Sequence, residues 1–234
     1  MMNLQIEKLY KSFDDIILFK DFTIDFREHT ISCILGPSGC GKTTLLNMIS
    51  NTTQPDSGYF RGFKDQVISY IFQEPRLLPW KTVLENISFV LDDSLSKKEK
   101  DTIALKYSQL VELEKFNNFY PSKLSGGMKQ RVAIARAFSY PSDIILMDEP
   151  LKALDLRLKM NLIKAFRRLW QMDKRTVIFV THDIDEALLL GNDIYVFSKA
   201  PVEIKRKFVI TEKERSLHAP SFLKLKNEIW EEMD

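Results

Sequence analysis

Two cysteines, Cys33 and Cys40, are all that the 234-residue chain contains. Lying close together, one in an apolar run and one in a glycine-rich segment, they form no disulfide framework and suit a reducing compartment. Charge of one sign is equally scarce. With 34 Lys and Arg against 32 Asp and Glu, the net charge of +2 gives no electrostatic case for nucleic acid or an anionic lipid surface. No apolar run approaches the roughly 18 residues that span a bilayer. The first residues, Met1-Met2-Asn3-Leu4-Gln5-Ile6-Glu7-Lys8, lack the apolar centre of a signal peptide. Internal repeats, low-complexity stretches and long linkers are missing too. What remains is 44% hydrophobic and 28% charged, which supports a sizeable core in one domain or one domain plus a subdomain. The expectation is a soluble cytoplasmic protein able to sit on a membrane protein.

Apolar periodicity then sketches the architecture. Residues 4–10, 16–19 and 22–26 alternate like half-buried strands of an antiparallel sheet. Short continuous apolar runs at 31–35, 67–72, 144–147, 177–180 and 194–197 read as buried parallel strands. Between residues 82 and 140 the spacing is helical, opened by Pro79-Trp80-Lys81-Thr82, with Ser96-Lys97-Lys98-Glu99-Lys100 as a helix start on a solvated face. The pattern predicts an α/β core with an inserted helical subdomain. A tail follows Pro201, with Val202 to Ile210 and a helix near Pro220 to Met233.

The apolar run ending at Leu35 leads into Gly36-Pro37-Ser38-Gly39-Cys40-Gly41-Lys42-Thr43-Thr44, a complete G-x-x-x-x-G-K-[ST] segment before a helical Leu45-Leu46-Asn47-Met48-Ile49. Strand, glycine loop and helix are the context in which such a loop cradles phosphates on its N–H groups. Lys42 supplies a charge for the phosphates, and Thr43 a hydroxyl for Mg²⁺. The segment predicts a nucleoside triphosphate site. Placing Cys40 there also predicts a thiolate-prone, maleimide-sensitive thiol protected by nucleotide, with Cys33 spared.

Other apolar runs end in polar residues where open α/β sheets bind ligands. Asp148 and Glu149 follow Ile144 to Met147, and suit a Mg²⁺ anchor and a base for the attacking water. A solvated carboxylate pair at a strand end is the plainer reading of the same residues. His182 closes the Val177 run within reach of a γ-phosphate or its water. Gln73 closes the Val67 run with an amide able to ligate Mg²⁺ and sense triphosphate. Leu124-Ser125-Gly126-Gly127-Met128-Lys129-Gln130-Arg131 opens a helix with a second anion cradle, or simply with an N-cap.

In this order the segments resemble the ATP-binding cassette ATPases over nearly the whole chain. The resemblance implies a P-loop NTPase, RecA-like core (1–77 and 141–234) with an antiparallel β subdomain, and a helical subdomain (78–140) carrying the signature Leu124 to Gln130. It further implies an adenine-stacking aromatic, Phe13 with Tyr10 as rival, a glutamine loop at Gln73, an Ala153-Leu154-Asp155 loop and a switch histidine, His182. Gly36 to Thr44 would bind ATP, and Ser125, Gly126 and Gly127 of a second copy would complete the site in a nucleotide-sandwich homodimer.

The string Phe72-Gln73-Glu74-Pro75-Arg76-Leu77-Leu78-Pro79-Trp80 is similar to ATPase subunits of nitrate, sulfonate and taurine-type importers. That branch implies multi-spanning membrane subunits, a solute-binding protein acting through them, no nucleic acid, and a place on the inner face of the membrane. Leu77, Leu78 and Trp80 would offer an apolar patch to a membrane subunit's helix, unless they pack in the core. The other class is a non-transport, ATP-gated switch acting on a soluble partner. No Asn-Lys-x-Asp motif supports a GTPase. Three positions depart from the family pattern: Arg27-Glu28-His29 replaces a Gly-Glu turn, Leu151-Lys152 replaces an aromatic-small pair, and Met128 fills a slot that is often Gln.

Overall fold

The structure, a computed structural model, describes residues 4–152, 154–211, 215 and 219–233. In chain order the elements are β1 (Leu4–Phe13), β2 (Ile16–Phe26), β3 (Ile31–Leu35), α1 (Lys42–Ile49), β4 (Ser57–Arg61), β5 (Ile68–Ile71), α2 (Val83–Ser88), α3 (Lys97–Leu110) and α4 (Gly126–Ser139). They continue as β6 (Ile144–Asp148), α5 (Leu156–Met172), β7 (Thr176–Thr181), α6 (Ile184–Leu190), β8 (Asp193–Phe197), β9 (Ile204–Val209) and α7 (Pro220–Met233). They fall into two compact units, Met1–Ile68 with Arg175–Asp234, and Ser69–Lys174.

In the first unit the unbroken apolar runs pair in parallel. β3 lies between β7 and β8, in register Ile31↔Val177 to Leu35↔Thr181 on one side and Ser32↔Asp193 to Leu35↔Val196 on the other. All three strands are buried along their whole length, as runs without an alternating polar face require. β9 adds an antiparallel edge to β8, and its solvated Lys205, Arg206 and Lys207 protect that edge from further pairing. A separate antiparallel sheet has the order β2-β1-β4. There the expected alternation holds on either side of a bulge at Lys8, which takes φ 52°: Leu4 and Ile6 before it and Leu9 after it are buried on β1, and Phe22, Ile24 and Phe26 are buried on β2.

Two differences from the sequence pattern lie in this sheet. Residues 16–26 form one strand, because Asp21 adopts φ 51° and carries the strand past its polar interruption. β4 carries no apolar signal beyond Tyr59 and Phe60. It pairs with β1 where Gly58 takes φ 122°, a Cβ there falling 2.8 Å from the Leu9 backbone, a place only glycine fits.

The second unit sets β5 beside β6 and packs its helices α2, α3, α4 and α5 on one another. Its helix starts are chemically explicit. Thr82 and Ser96 each form a capping box, with Glu85 and Glu99, and Asp155 caps α5 by accepting from Leu158 N at 2.9 Å. The helical stretch is therefore three α-helices with two short 3-10 turns, Glu114–Phe116 and Pro121–Lys123, between α3 and α4, and Lys97, Lys98 and Glu99 face solvent as expected. β5 is shorter than the run that announced it, since Val67 and Phe72 lie outside it. α4 and α5 meet through Phe138 and Phe166, ring centroids 5.4 Å apart and edge to face.

The turn Arg27-Glu28-His29 also finds its reason in the first unit. Arg27 grips the fully buried Asp193 with two bonds, Nε to Oδ2 and Nη2 to Oδ1, each 2.7 Å. His29 holds φ 58° while its N–H donates to Thr176 Oγ1 at 3.0 Å. The bidentate pair fixes where β2 hands over to β3, and the ion pair holds Arg27 in its charged form. Arg27→Met leaves a buried carboxylate unpaired and should cost about 2 kcal/mol in urea unfolding. Adding Asp193→Asn should return part of that loss; equal stability of Arg27→Met and the wild type would remove the pair from this role.

Candidate nucleotide-binding site

β3 delivers the chain at Leu35, and α1 takes it up at Lys42. Between them Gly39 and Gly41 hold φ 80° and 102°, conformations that side chains resist. A Cβ on Gly41 would lie 2.9 Å from Leu18 Cδ2, and one on Gly36 3.1 Å from Phe197 Cβ and Cys40 Sγ. Packing on both sides thus shapes the loop. Lys42 is 5% exposed, and its Nζ donates to the Gly36 and Pro37 carbonyls at 2.7 and 2.8 Å. The ammonium is held beneath its own loop. Gly41 caps α1 without a side-chain hydrogen bond, and a helix start without a side-chain cap suits an anion. Ser38, Gly39 and Thr43 are exposed, with Pro37 and Thr44 partly so.

The register Leu35↔Thr181 brings His182 out of β7 at the level where Gly36 leaves β3. The backbone around His182 is pinned. Thr181 Oγ1 donates to Glu186 at 2.7 Å and accepts from Asp183 N at 3.1 Å. Asp183 in turn accepts from Asp185 N and Glu186 N to start α6. The imidazole stays exposed. Of the two aromatic candidates near the first hairpin, Phe13 is 48% exposed beneath Lys11 Nζ, 5.0 Å from its ring, while Tyr10 is half-buried against β4.

The remaining candidates lie in the second unit. Asp148 ends β6 half-buried, hydrogen-bonded by the phenol of Tyr70 on β5; burial first, and the carboxylate second, push that phenol far above its ordinary range. Glu149 turns the chain with φ 42°, its Oε2 2.6 Å from Lys152 Nζ. Gln73 is exposed just beyond β5. At the other cradle Ser125 is the N-cap of α4, its Oγ accepting from Met128 N at 3.3 Å. Both readings of that segment survive, since the cap takes one N–H and leaves an exposed Ser125 and Gly126. Gly127 is buried, and a Cβ there would press on Leu158 at 3.2 Å. Leu154 and Asp155 follow the strand; Ala153 lies outside the described residues.

The frame joining these loops was not legible in the sequence. Gln130 Nε2 donates to the Phe72 carbonyl at 3.3 Å, and Arg136 donates to the carbonyls of Pro75 and Arg76, both at 3.1 Å. The signature helix thereby grips the glutamine loop on both sides of Gln73. Asn86, fully buried, accepts from Leu78 N and donates to the carbonyls of Leu78, Lys81 and Thr82. Trp80 stands 70% exposed on the loop so fixed, with Phe89 exposed as well, so core packing does not account for Trp80; Leu77 and Leu78 are half-buried.

One expectation is overturned. Cys40 is 2% exposed, and burial raises its thiol above the ordinary value, outweighing the opposing pull of Lys42. Cys33 is buried completely and is raised further. The sequence placed a thiol in an electropositive loop and gave no sign that the side chain turns inward. Neither cysteine should react with maleimide over minutes in the folded chain at neutral pH, and both should label in denaturant. Rapid labelling of Cys40 in the native state would contradict its inward orientation.

With the geometry in place, relatives supply the family. A model of the ABC transporter family matches residues 19–152. An aliphatic sulfonates import ATP-binding protein of Bacillus cereus is 38% identical over 210 residues, 86% of this chain and 82% of its own. A nitrate import ATP-binding protein of Synechocystis is 34% identical over 249 residues, 97% of this chain and 94% of its own. A dimeric post-hydrolysis structure of the ATP-binding cassette MJ0796, bound to ADP and Pi, superposes with TM-score 0.74 at 31% identity, covering 89% of this chain and 99% of that one. Among the described residues no helix is long and apolar enough to cross a membrane. The chain belongs to the ABC transporter family, as an ATP-binding and ATP-hydrolysing cassette.

Proposed function

We propose that this cassette powers an importer, two copies closing around ATP and driving separate multi-spanning membrane subunits that receive a small solute from a binding protein. The carrying observation is the frame of the second unit, in which Gln130 and Arg136 hold the glutamine loop and Asn86 holds the loop that presents Trp80. Such a frame relays a displacement of Gln73 to an exposed aromatic, which is what coupling to a partner helix needs. The relatives named for sulfonate and nitrate import support a small nitrate-, sulfonate- or taurine-like solute, or a related organic one.

In this reading Phe13 stacks on adenine, the N–H groups of Gly36 to Thr44 and Lys42 hold the phosphates, and Ser125, Gly126 and Gly127 of the second copy complete the cradle. Glu149 accepts a proton from the attacking water, and His182 and Gln73 position that water and the γ-phosphate. Thr43 hydroxyl, Gln73 amide and Asp148 carboxylate are a hard oxygen set with one charge, which fits Mg²⁺ bound jointly with phosphates rather than an all-protein cage. When bound, Mg²⁺ would neutralise charge on the phosphates. The chain's own tasks are to fix Asp148 through Tyr70 and to keep Lys42 desolvated under its loop.

The cassette should co-purify with a multi-spanning subunit from detergent-solubilised membranes. Trp80→Ala should weaken that association at least tenfold while the isolated ATPase rate stays within about twofold, the loss expected for an aromatic anchor at an interface. Recovery only with soluble proteins would instead favour the ATP-gated switch.

A further inference from the structure

Lys152 departs from the small residue usual at its place, and the structure gives it a partner. Its Nζ lies 2.6 Å from Glu149 Oε2. The two residues are three apart on a turn closed by Lys152 N donating to the Glu149 carbonyl at 3.1 Å. Leu151, 2% exposed, anchors the turn between them, and the positive φ of Glu149 sets the direction of its side chain. The partners differ in freedom. The Glu149 side chain is 12% exposed, with Oε2 shielded from solvent to under 1 Å², whereas Lys152 is 41% exposed. The lysine can swing into water; the carboxylate has little room to follow.

We propose that Lys152 is a positioning residue that slows hydrolysis: its ammonium holds Oε2 of Glu149 in an ion pair that must open before both carboxylate oxygens can engage the attacking water. This rests on Glu149 being the base, as argued above. A base acts through the orientation and availability of its lone pairs, and the positive charge of Lys152 sits 2.6 Å from one of the two oxygens. Opening a pair with a half-exposed cation is a small barrier, so the effect is a modest brake rather than an off state.

The test is steady-state ATPase kinetics on the full chain with Lys152→Met, which keeps length and removes charge, and Lys152→Arg, which keeps charge. Lys152→Met should raise kcat about two- to fivefold, the ratio corresponding to a partly exposed ion pair, with KM for ATP within about twofold. Lys152→Arg should stay near the wild-type rate. On a Glu149→Gln background, where the base reading expects turnover to fall about 10²- to 10⁴-fold, Lys152→Met should change nothing further. An unchanged or lower kcat in Lys152→Met overturns the proposal, as does an Arg variant as fast as the Met variant. Should Glu149→Gln hydrolyse ATP near the wild-type rate, the base assignment itself fails. A dead Glu149→Gln with an unaccelerated Lys152→Met removes only the role of Lys152.

Discussion

Parallel pairing of β3 with β7 and β8 is the constraint on which the nucleotide site depends. Because these strands are buried on both faces, their register cannot slip without exposing apolar side chains or leaving backbone groups unpaired. That register sets Leu35 beside Thr181 and Val196. The phosphate loop and the His182 loop therefore leave one edge at one level, and Phe197 closes on Gly36 from β8. The glycines are consequences of this placement. With Leu18 against the loop and φ at 102°, position 41 resists a Cβ, and at position 36 a Cβ would crowd Phe197 at 3.1 Å.

The second unit works by a different device. Its functional loops are held by side chains that reach backbone carbonyls, Gln130 and Arg136 from the signature helix and Asn86 from α2. Hydrogen bonds of this kind fix a loop without making it a strand or helix. They leave Gln73 and Trp80 exposed on rigid supports. In the proposed function, ligand sensing at Gln73 and partner contact at Trp80 would share one hydrogen-bonded body, which is the physical basis for proposing a coupled motor.

How much of this was legible depended on whether the signal was local. Gly36 to Thr44 announced its strand, loop and helix because the motif and its flanking apolar runs are contiguous. Ser96 and Ser125 announced helix starts because capping is a matter of three residues. Long-range pairs gave no such sign. Tyr70 looked like one more residue of an apolar run, yet its phenol orients Asp148 from the neighbouring strand. Arg27 stood as an odd turn residue until Asp193 was found beneath it. Cys40 misled because a loop's composition predicts its charge but not which way a side chain turns. Lys152 stands out in the sequence as a departure from the family pattern, but its tie to Glu149 depends on a turn that only the fold supplies.

The central claim is that two anion cradles remote in sequence, Lys42 with its loop and Ser125 with its glycines, complete one ATP site across two copies of the chain. Gly126 allows a clean test, since a Cβ there meets nothing within 4 Å, whereas Gly127 crowds Leu158. Lys42→Ala and Gly126→Asp variants should each be inactive, the first unable to hold phosphates and the second setting a carboxylate against them. The measurement is ATPase activity of differently tagged variants purified together as the heterodimer, alongside ATP-dependent dimer closure. One site then carries both lesions and the other carries none, so activity or closure should return. Heterodimers that form but neither hydrolyse ATP nor close would contradict the shared site and leave Ser125 as a helix cap alone.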